Sequence, residues 1–337
     1  MMNATMRVLR VHAWGQTPVL EAAPTPTLGP GESLVRIEAA AVSHLDLTVL
    51  SGRFNVRPAL PYIGGVEGAG TIERSERFAC GTKVAIRGNG LGLSRDGTWA
   101  EFVAVPDAAL REIPSDLDAA TAATAYSPLT TSYIALHDIG RLGAWRIDQA
   151  TSSDISVAAD EVVAVIGAAG AVGSVATQMA LAAGARVIGT VSRAERVPFV
   201  PAGAETLSLA DDAATARLAR DQSVTLLIDT IGGAGFSQRL GWVRPGGRAV
   251  MVGYTGGTDV TLNLPNWFLG DVALLPVNML RREARANALI GGLTEQVMRG
   301  ALALAVERHA MQHAAIAFER LRRGQARGRL ALTWTDA

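Results

Sequence analysis

A glycine cluster near the middle of the chain has the spacing to hold a dinucleotide. Gly167, Gly170 and Gly173 follow a β-branched apolar run and precede an alanine-rich run with helical periodicity. Glycines at a strand-to-helix turn let the backbone approach a pyrophosphate, whose charge then faces the helix N-terminus. Because glycine makes up 36 of 337 residues, this spacing alone is not specific. The prediction therefore depends on the elements around the cluster.

The residues about twenty positions beyond the glycines indicate which dinucleotide would bind. An acidic residue at this point holds the ribose 2′-hydroxyl of NAD, but here Val191 and Ser192 are followed by Arg193 and Arg196. Guanidinium groups are planar cations with several donors, which suit a phosphate. The sequence thus predicts NADPH as the cofactor. The alternative is that both arginines are only the solvated start of the next helix.

Two titratable side chains near the start of the chain, His44 and Asp46, are two residues apart. In an extended strand both would leave from the same face, which makes them a candidate proton relay. The alternative is that Asp46 caps or holds the following turn and His44 is partly exposed, since a lone histidine more often has a structural role. Both interpretations stay open at this point.

The elements that must position the glycine cluster alternate between strands and helices. From 162 to 276 the pattern predicts six short strands, each apolar along its whole length and bounded by glycine or proline. Runs that are apolar on both faces are typical of a parallel sheet covered by helices, so we expect an α/β fold with a doubly wound six-stranded sheet. Five of the six strands have definite bounds, 162–166, 186–191, 224–229, 248–253 and 272–276, and the predicted helices are 213–220 and 236–243.

Residues 6 to about 120 have a different sequence pattern. Short alternating segments are broken by Gly, Pro and Asp, which indicates a β-rich, barrel-like domain. The C-terminal part of the chain resembles this first part, with a predicted helix at 314–323 and a last predicted strand at 329–334. Residues 147–161 are polar and aperiodic, and we expect a surface loop beside the domain junction. The segments predicted as strands in the first part are 33–40, 70–73, 83–87 and 100–105.

The composition excludes several classes of protein. With 31 basic and 31 acidic residues the formal net charge is zero, so no long-range field attracts nucleic acid or an anionic membrane. Cys80 is the only cysteine, which excludes an internal disulfide and a cysteine-rich zinc site and fits a reducing cytoplasm. The most apolar stretch, 162–185, divides into strand, turn and helix, so we reject a membrane span. The start of the chain has no signal-peptide pattern.

Seven segments distributed over nearly the whole chain carry a resemblance to a known family. They are AAAVSHLDLTVLSGRF (39–54), LPYIGGVEGAGTI (60–72), SPLTTSYIAL (127–136), VIGAAGAVGSVATQMALAAGARVIGT (165–190), LIDTIGG (227–233), RPGGRAVMVG (244–253) and GRLALTW (328–334). On these the chain resembles the medium-chain dehydrogenase/reductase superfamily, most closely its zinc-independent quinone oxidoreductase branch. The resemblance implies a GroES-like catalytic domain from both chain ends, 1–124 and 278–337, a Rossmann domain at 125–277, and a cleft where nicotinamide meets substrate.

The chain departs from the zinc enzymes of this superfamily at all three matching positions. Those enzymes have two cysteines and the histidine of a Gly-His-Glu where this chain has Ser43, Val66 and Ser127. Valine cannot coordinate a metal, and a neutral serine is a poor ligand for Zn²⁺. The remaining candidates nearby, His44, Asp46 and Glu67, do not make a site, so we expect no metal.

The resemblance also implies which side chains lie near the reacting groups. Hydroxyl or imidazole donors can stabilise the anion that forms as hydride reaches a quinone or enone. The candidates by family position are Ser43, His44, Tyr62, Ser127, Thr130 and Thr131. Of these we take Ser43, His44 and Thr130 as catalytic candidates, while Tyr62 is expected to be a packed aromatic in its turn.

Cofactor contacts are implied in the same way. Arg329 is expected to reach the pyrophosphate and to pair with Glu67, because a carboxylate left without a cation in an apolar junction would be costly; the alternative is a purely structural ion pair. The branch often has a tyrosine where this chain has Ser208, Leu209 and Ala210, so NADPH preference rests on the two arginines. The expected cofactor-binding residues are Gly167, Ala169, Gly170, Ala171, Val172, Gly173, Ser192, Arg193, Arg196, Thr130, Thr131, Thr230, Gly253, Tyr254, Asn278 and Arg329.

Taken together, these features predict an NADPH-dependent, metal-independent reductase of quinones or α,β-unsaturated carbonyls. One alternative is an enoyl-thioester reductase. Its larger acyl-carrier or coenzyme A substrate would require basic residues at the entrance to the site, and Arg53 and Arg57 are the only nearby indication of them. Another is an NADPH-binding protein with little turnover, since a fold does not determine function. The resemblance also implies a homodimer through the sheet edge at 272–276, where relatives commonly pair, and an unpaired apolar edge strand would otherwise invite uncontrolled association.

Overall fold

The computed structural model describes residues 5–145 and 158–334. The chain divides into two compact units, Met1–Tyr126 with Leu304–Ala337, and Ser127–Ala303. Of the loop predicted at 147–161, residues 147–157 lie outside the described part of the chain.

Strands and helices are numbered in chain order. The strands are β1 Thr5–Val11, β2 Val19–Pro24, β3 Glu32–Val42, β4 Tyr62–Ile63, β5 Glu67–Arg74, β6 Lys83–Arg87, β7 Phe102–Pro106, β8 Leu110–Glu112, β9 Val162–Ile166, β10 Arg186–Val191, β11 Glu205–Ser208, β12 Val224–Asp229, β13 Val243–Met251, β14 Ala273–Pro276, β15 Val306–Ala310 and β16 Arg329–Thr333. The α-helices are α1 His44–Leu50, α2 Ala119–Tyr133, α3 Ala171–Ala182, α4 Asp212–Asp221, α5 Phe236–Leu240, α6 Leu264–Gly270, α7 Glu283–Met298 and α8 Ala314–Arg322.

The second unit is built on a parallel sheet of six strands in the order β11-β10-β9-β12-β13-β14. This confirms the predicted doubly wound α/β architecture. The strands β9, β10 and β12 have the predicted bounds, and β12 is buried along its whole length. The strand order reverses between β9 and β12, and ligands of such sheets bind outside the carboxyl ends of the strands at this point.

The fifth strand of this sheet begins earlier than predicted. Helix α5 ends at Leu240 and β13 begins at Val243, whereas the sequence pattern predicted a helix at 236–243 and a strand from 248. Val243 pairs with Val224 of β12 and is buried in the core of the unit. Apolar residues between a helix and a strand fit both periodicities, so tertiary pairing decides the boundary.

The first unit is β-rich, as predicted. A seven-stranded sheet has the order β15-β16-β3-β5-β6-β8 with β7 also paired to β3, and a three-stranded sheet has the order β2-β1-β4. The pairs are antiparallel except β15 with β16. The two chain ends share one core, in which Trp99 contacts Phe318 edge to face with ring centroids 5.0 Å apart.

The second unit extends beyond the boundary expected at 277. Helix α7 belongs to it, because Arg285 of this helix forms an ion pair with Asp138 at 2.9 Å. The side chain of Gln178 in α3 bonds to both backbone groups of Ala303, at 2.8 and 3.0 Å. Residues 278–303 therefore belong to the same unit as the six-stranded sheet. In the ranges that the structure describes, no helix is both long and apolar enough to cross a membrane.

Candidate functional site

The glycine turn after β9 has the geometry of a phosphate cradle. Gly167 has a φ of +78°, and a Cβ added at Gly173 would lie 2.2 Å from the Gly167 oxygen. Gly170 is the N-cap of α3 and provides no side-chain cap. The first-turn N–H groups of α3 therefore point toward the turn with no capping side chain, which is the arrangement that binds a pyrophosphate. The residues present fit a dinucleotide.

Thr230, which follows β12, lies against this turn. Its Oγ1 donates a hydrogen bond of 2.6 Å to the backbone oxygen of Ile166. A Cβ on Gly167 would lie 2.7 Å from the same Oγ1. Since the hydroxyl proton is used by Ile166, Thr230 can only accept a hydrogen bond from a ligand.

The end of α2 also lies beside the glycine turn. Ser132 donates a hydrogen bond of 2.9 Å to the backbone oxygen of Val172, in the first turn of α3. Thr130 is fully buried and Thr131 is 8 % exposed. The structure thus brings this segment of α2 to the start of α3, and Thr131 is the more accessible of the two threonines.

The two predicted specificity arginines differ in their surroundings. One NH2 group of Arg196 donates a hydrogen bond of 3.2 Å to the backbone oxygen of Ala169, within the glycine turn. Arg193 is exposed, and its Nε lies 3.4 Å from Glu195, so a carboxylate partly neutralises it. Both follow β10 and the exposed Ser192: Arg193 is the N-cap of a 3-10 helix (Ala194–Phe199), and Arg196 lies within that helix, so neither is at the start of an α-helix.

Of the remaining predicted cofactor contacts in the second unit, two lie at the carboxyl end of the sheet. The backbone N–H of Gly253 donates a hydrogen bond of 3.3 Å to the backbone oxygen of Asp229, and Tyr254 is 56 % exposed. Asn278 differs, because its Oδ1 accepts a hydrogen bond of 3.2 Å from the N–H of Arg281. Asn278 therefore caps the short helical turn that follows it.

In the first unit, Ser43, His44 and Asp46 form the start of a helix. Ser43 is the N-cap of α1, and its side chain and that of Asp46 make a capping box. Ser43 Oγ donates to Asp46 Oδ2 at 2.6 Å. The extended strand assumed for a His44–Asp46 relay is wrong, since residues two apart on a helix do not share a face. The capping alternative is what the structure has, with His44 exposed.

Asp46 is a buried carboxyl group with a raised pKa. Burial raises the pKa of Asp46 to about 6, against the lowering effect of its bonds from Ser43. Besides Ser43, the N–H of Val66 donates to Asp46 Oδ1 at 3.2 Å. This carboxyl group therefore joins the start of α1 to the segment before β5.

The predicted contact between Glu67 and Arg329 is confirmed. Arg329 NH2 donates to Glu67 Oε2, and both side chains are less than a tenth exposed. The sequence missed a second cation, Arg87, which donates to Glu67 Oε1 and stacks on the ring of Tyr126 with its guanidinium 4.5 Å from the ring centroid. The contact between Arg87 and Glu67 follows from the pairing of β5 with β6, which places these two residues opposite each other. The Nε of Arg329 is buried with no partner in the described ranges.

The other candidates near α1 have packing roles. Tyr62 is 3 % exposed and its ring lies 5.9 Å from that of Trp14, which confirms the packed aromatic. Burial raises the pKa of the Tyr62 hydroxyl. Among the described residues, no group of three or more His, Cys, Asp or Glu side chains could hold a metal ion.

Two family models match the chain. The alcohol dehydrogenase GroES-like domain matches residues 29–115, and the zinc-binding dehydrogenase domain matches residues 171–291. Together with the relatives below, they identify the family. The chain belongs to the medium-chain dehydrogenase/reductase superfamily, in its quinone oxidoreductase branch, and is an oxidoreductase of that superfamily.

Relatives and solved structures resemble different extents of the chain. A zinc-type alcohol dehydrogenase-like protein of Schizosaccharomyces pombe is 37% identical over 52% of this chain, which spans about half (48%) of that relative. The quinone oxidoreductase of Lama guanicoe is 27% identical over 76% of this chain and 75% of its own length. The quinone oxidoreductase of Thermus thermophilus, solved also in complex with NADPH, is 26% identical with a TM-score of 0.77 over 97% of this chain and all (100%) of that one.

Proposed function

We propose that the protein is an NADPH-dependent oxidoreductase that transfers hydride to a quinone or an α,β-unsaturated carbonyl without a metal ion. The observation that carries the proposal is the bond between Arg196 and the Ala169 oxygen, since it holds a guanidinium group beside the phosphate cradle. A guanidinium group has five N–H donors, so it can bond to Ala169 and bind a 2′-phosphate as well. Val191 and Ser192 stand where an NAD-binding protein would have its acid.

The comparisons support the same reaction class. Several quinone oxidoreductases match about three quarters of the chain, and the neighbouring quinone oxidoreductase of Thermus thermophilus was also solved with NADPH. All are about a quarter identical to this chain, so the cofactor and the acceptor are proposed here.

The cofactor, when bound, supplies the hydride, and the residues of the protein bind it and exclude water. The first turn of α3 would hold the pyrophosphate, and Arg196 the 2′-phosphate. Thr230 Oγ1 and the backbone of Gly253 and Tyr254 would bind the nicotinamide end. In this scheme Asn278 contributes less, because its oxygen already caps a turn.

The charge that develops on the acceptor oxygen requires a hydrogen-bond donor. The Oγ proton of Ser43 is used by Asp46, and Thr130 is fully buried. His44 is exposed, which makes it the most accessible of the three catalytic candidates. We therefore propose His44 as the donor to the acceptor oxygen.

Metal-free chemistry follows from the donor set. Ser43, Val66 and Ser127 occupy the positions of the zinc ligands, and a valine side chain has no donor atom. Ser43 is moreover engaged as a helix cap. The family description names zinc, whereas these three side chains do not fit it, and no step of the proposed reaction uses a metal.

We also propose that the first unit carries the substrate, that the second binds the dinucleotide, and that the protein works as a cytoplasmic homodimer. Support for the dimer comes from α6, which precedes the edge strand β14. Its residues Leu264, Phe268 and Leu269 are 51%, 68% and 84% exposed. An apolar patch beside an unpaired strand edge is typical of an interface with a second copy.

The test is oxidation of NADPH and NADH followed by absorbance with three acceptors. We expect turnover with 1,2-naphthoquinone or a simple enone, and faster turnover with NADPH than with NADH. Turnover with crotonyl-CoA alone would contradict the acceptor and favour an enoyl-thioester reductase. No turnover with any acceptor, despite NADPH binding, would contradict the enzymatic proposal.

A further inference from the structure

A buried ion pair holds the turn after β12. Asp229, the last residue of β12, is fully buried, and Arg239 of α5 is 6 % exposed. Arg239 Nε donates to Asp229 Oδ2 at 2.8 Å, while its NH2 donates to the Gly232 backbone oxygen at 2.8 Å. One guanidinium group is thus bonded to both ends of the turn from 229 to 232.

Asp229 holds the same turn through its other carboxylate oxygen. Oδ1 accepts hydrogen bonds from the N–H groups of Ile231 at 2.9 Å and Gly232 at 2.8 Å. Ile231 and Gly232 belong to no helix or strand, so these side-chain bonds replace the regular bonds that backbone groups usually make. The conformation of the turn therefore depends on the Asp229–Arg239 pair.

The turn contacts both segments that are proposed to bind the cofactor. On one side Thr230 lies against Gly167, as its 2.6 Å bond to Ile166 requires. On the other side a Cβ on Gly253 would lie 2.3 Å from the Thr230 backbone oxygen. Contacts this close leave no space in which the turn could shift alone. Movement of the turn would change the distance between the glycine turn and Gly253.

We infer that Asp229 and Arg239 are positioning residues for dinucleotide binding. They fix the separation of the glycine turn from the segment of Gly253 and Tyr254, and thereby the affinity for the cofactor and the alignment of its nicotinamide end. Neither side chain needs to touch the cofactor. The inference rests on the proposed function, because it assigns these residues to the same binding site.

Gly235 allows a test that keeps both charges. Its φ of −71° is open to any residue, but a Cβ there would lie 2.6 Å from Arg239 NH1. The substitution Gly235→Ala therefore displaces the guanidinium group. The matched control is Gly291→Ala in α7, where no described atom beyond its neighbours and its own helix lies within 4 Å of the added Cβ.

A second pair of variants tests the ion pair directly. In Arg239→Lys, one ammonium group cannot replace the forked guanidinium that bonds to Asp229 and to Gly232 together. Its control is Arg248→Lys, because Arg248 is also buried in the second unit and paired with a buried carboxylate, Glu161, at 2.6 Å. The bonds of Arg248 go to Glu161, Gly140 and Thr225, which lie outside the proposed cofactor site.

The experiment measures the dissociation constants of NADPH and NADH by calorimetry, and kcat and KM with 1,2-naphthoquinone. All variants are compared at a temperature at which circular dichroism shows them folded. We expect Gly235→Ala and Arg239→Lys to weaken NADPH and NADH binding by about tenfold, with a larger change in KM for NADPH than in kcat. Both controls should stay within about twofold of the wild type.

The outcomes separate the inference from the proposed function. Unchanged affinity in Gly235→Ala and Arg239→Lys, with a wild type that binds dinucleotide, overturns the inference alone. Equal weakening in Arg248→Lys also overturns it, because the loss would then follow from general destabilisation. A wild type that binds neither dinucleotide overturns the proposed function and the inference with it. If Arg239→Lys does not fold, Gly235→Ala decides.

Discussion

The carboxylate of Glu67 in β5 accepts a hydrogen bond from Arg329 in β16, 262 positions further along the chain. The two ends of the chain thereby meet at one buried charged cluster, in which Arg87 contacts the other oxygen of Glu67. Two cations share one carboxylate, and the Nε of Arg329, buried with no partner in the described ranges, lies within the cluster. The buried carboxyl group of Asp46 interacts electrostatically with both Glu67 and Arg329.

Replacement of Glu67 tests the energetic role of this cluster. Glu67→Gln leaves two guanidinium groups without their counter-charge, one of them buried, and we expect the free energy of unfolding to fall by about 3 kcal/mol. The control is Glu205→Gln, whose pair with Arg186 is 53% and 56% exposed, with an expected loss below about 1 kcal/mol. Urea denaturation measures both, and equal losses would contradict the buried role of Glu67.

Asp46 should make stability depend on pH in a defined direction. Because its pKa is raised from 3.8 to about 6 in the folded protein, the folded state binds more protons than the unfolded state between these values. Its contribution to stability is full below about pH 4 and is lost as the pH rises through about 6.

The variant Asp46→Asn isolates this contribution. We compare the free energy of unfolding of the wild type with that of the variant. The difference, wild type minus variant, should fall by about 2–3 kcal/mol between about pH 4 and about pH 7 and should stay constant at higher pH. Urea denaturation at several pH values measures it. A difference that grows with pH would mean that the bonds from Ser43 and Val66 outweigh the effect of burial.

Arg196 should discriminate between the two dinucleotides. Because hydrogen bonds to a charged group are strong, Arg196→Gln should raise KM for NADPH about tenfold or more and leave KM for NADH nearly unchanged. Arg193→Gln should have a smaller effect, since Glu195 already lies beside Arg193. Steady-state kinetics with 1,2-naphthoquinone measures both, with the exposed Arg220→Gln as a control. Equal losses for NADPH and NADH would contradict a 2′-phosphate contact.

The exposed face of α6 predicts the oligomeric state. Phe268→Glu places a charge in the apolar patch beside β14, and we expect it to convert a dimer into a monomer. The control is Ile316→Glu, at an apolar residue of α8 that is 53% exposed. Light scattering after size exclusion measures the masses. A monomeric wild type, or a dimeric Phe268→Glu, would contradict the interface.

The parallel sheet could be predicted from the sequence, since its strands are unbroken apolar runs that end at glycine or proline. The start of α1 was predicted wrongly, because the residues from His44 to Val49 alternate between polar and apolar as a half-buried strand does. A serine followed three positions later by an acidic residue resembles a capping box, and this signal could have indicated a helix.

The site was predictable only where a contact depends on residues close together in the sequence or on a family position. The Glu67–Arg329 pair was found in this way, while the cofactor contacts of Gly167 and Thr230 stay predictions. Arg87 and Arg239 were missed, because their contacts depend on strand register and on the packing of α5. The use of Asn278 as a cap and the burial of Thr130 likewise follow from packing, which a single sequence does not reveal.

The central claim is hydride transfer from NADPH without a bound metal. The most direct measurement is the rate of NADPH oxidation with 1,2-naphthoquinone before and after dialysis against a chelator, with the metal content of the same samples. We predict substoichiometric metal and an unchanged rate, because Ser43, Val66 and Ser127 cannot form a zinc site. Stoichiometric zinc whose removal abolishes the activity, and whose return restores it, would contradict the account.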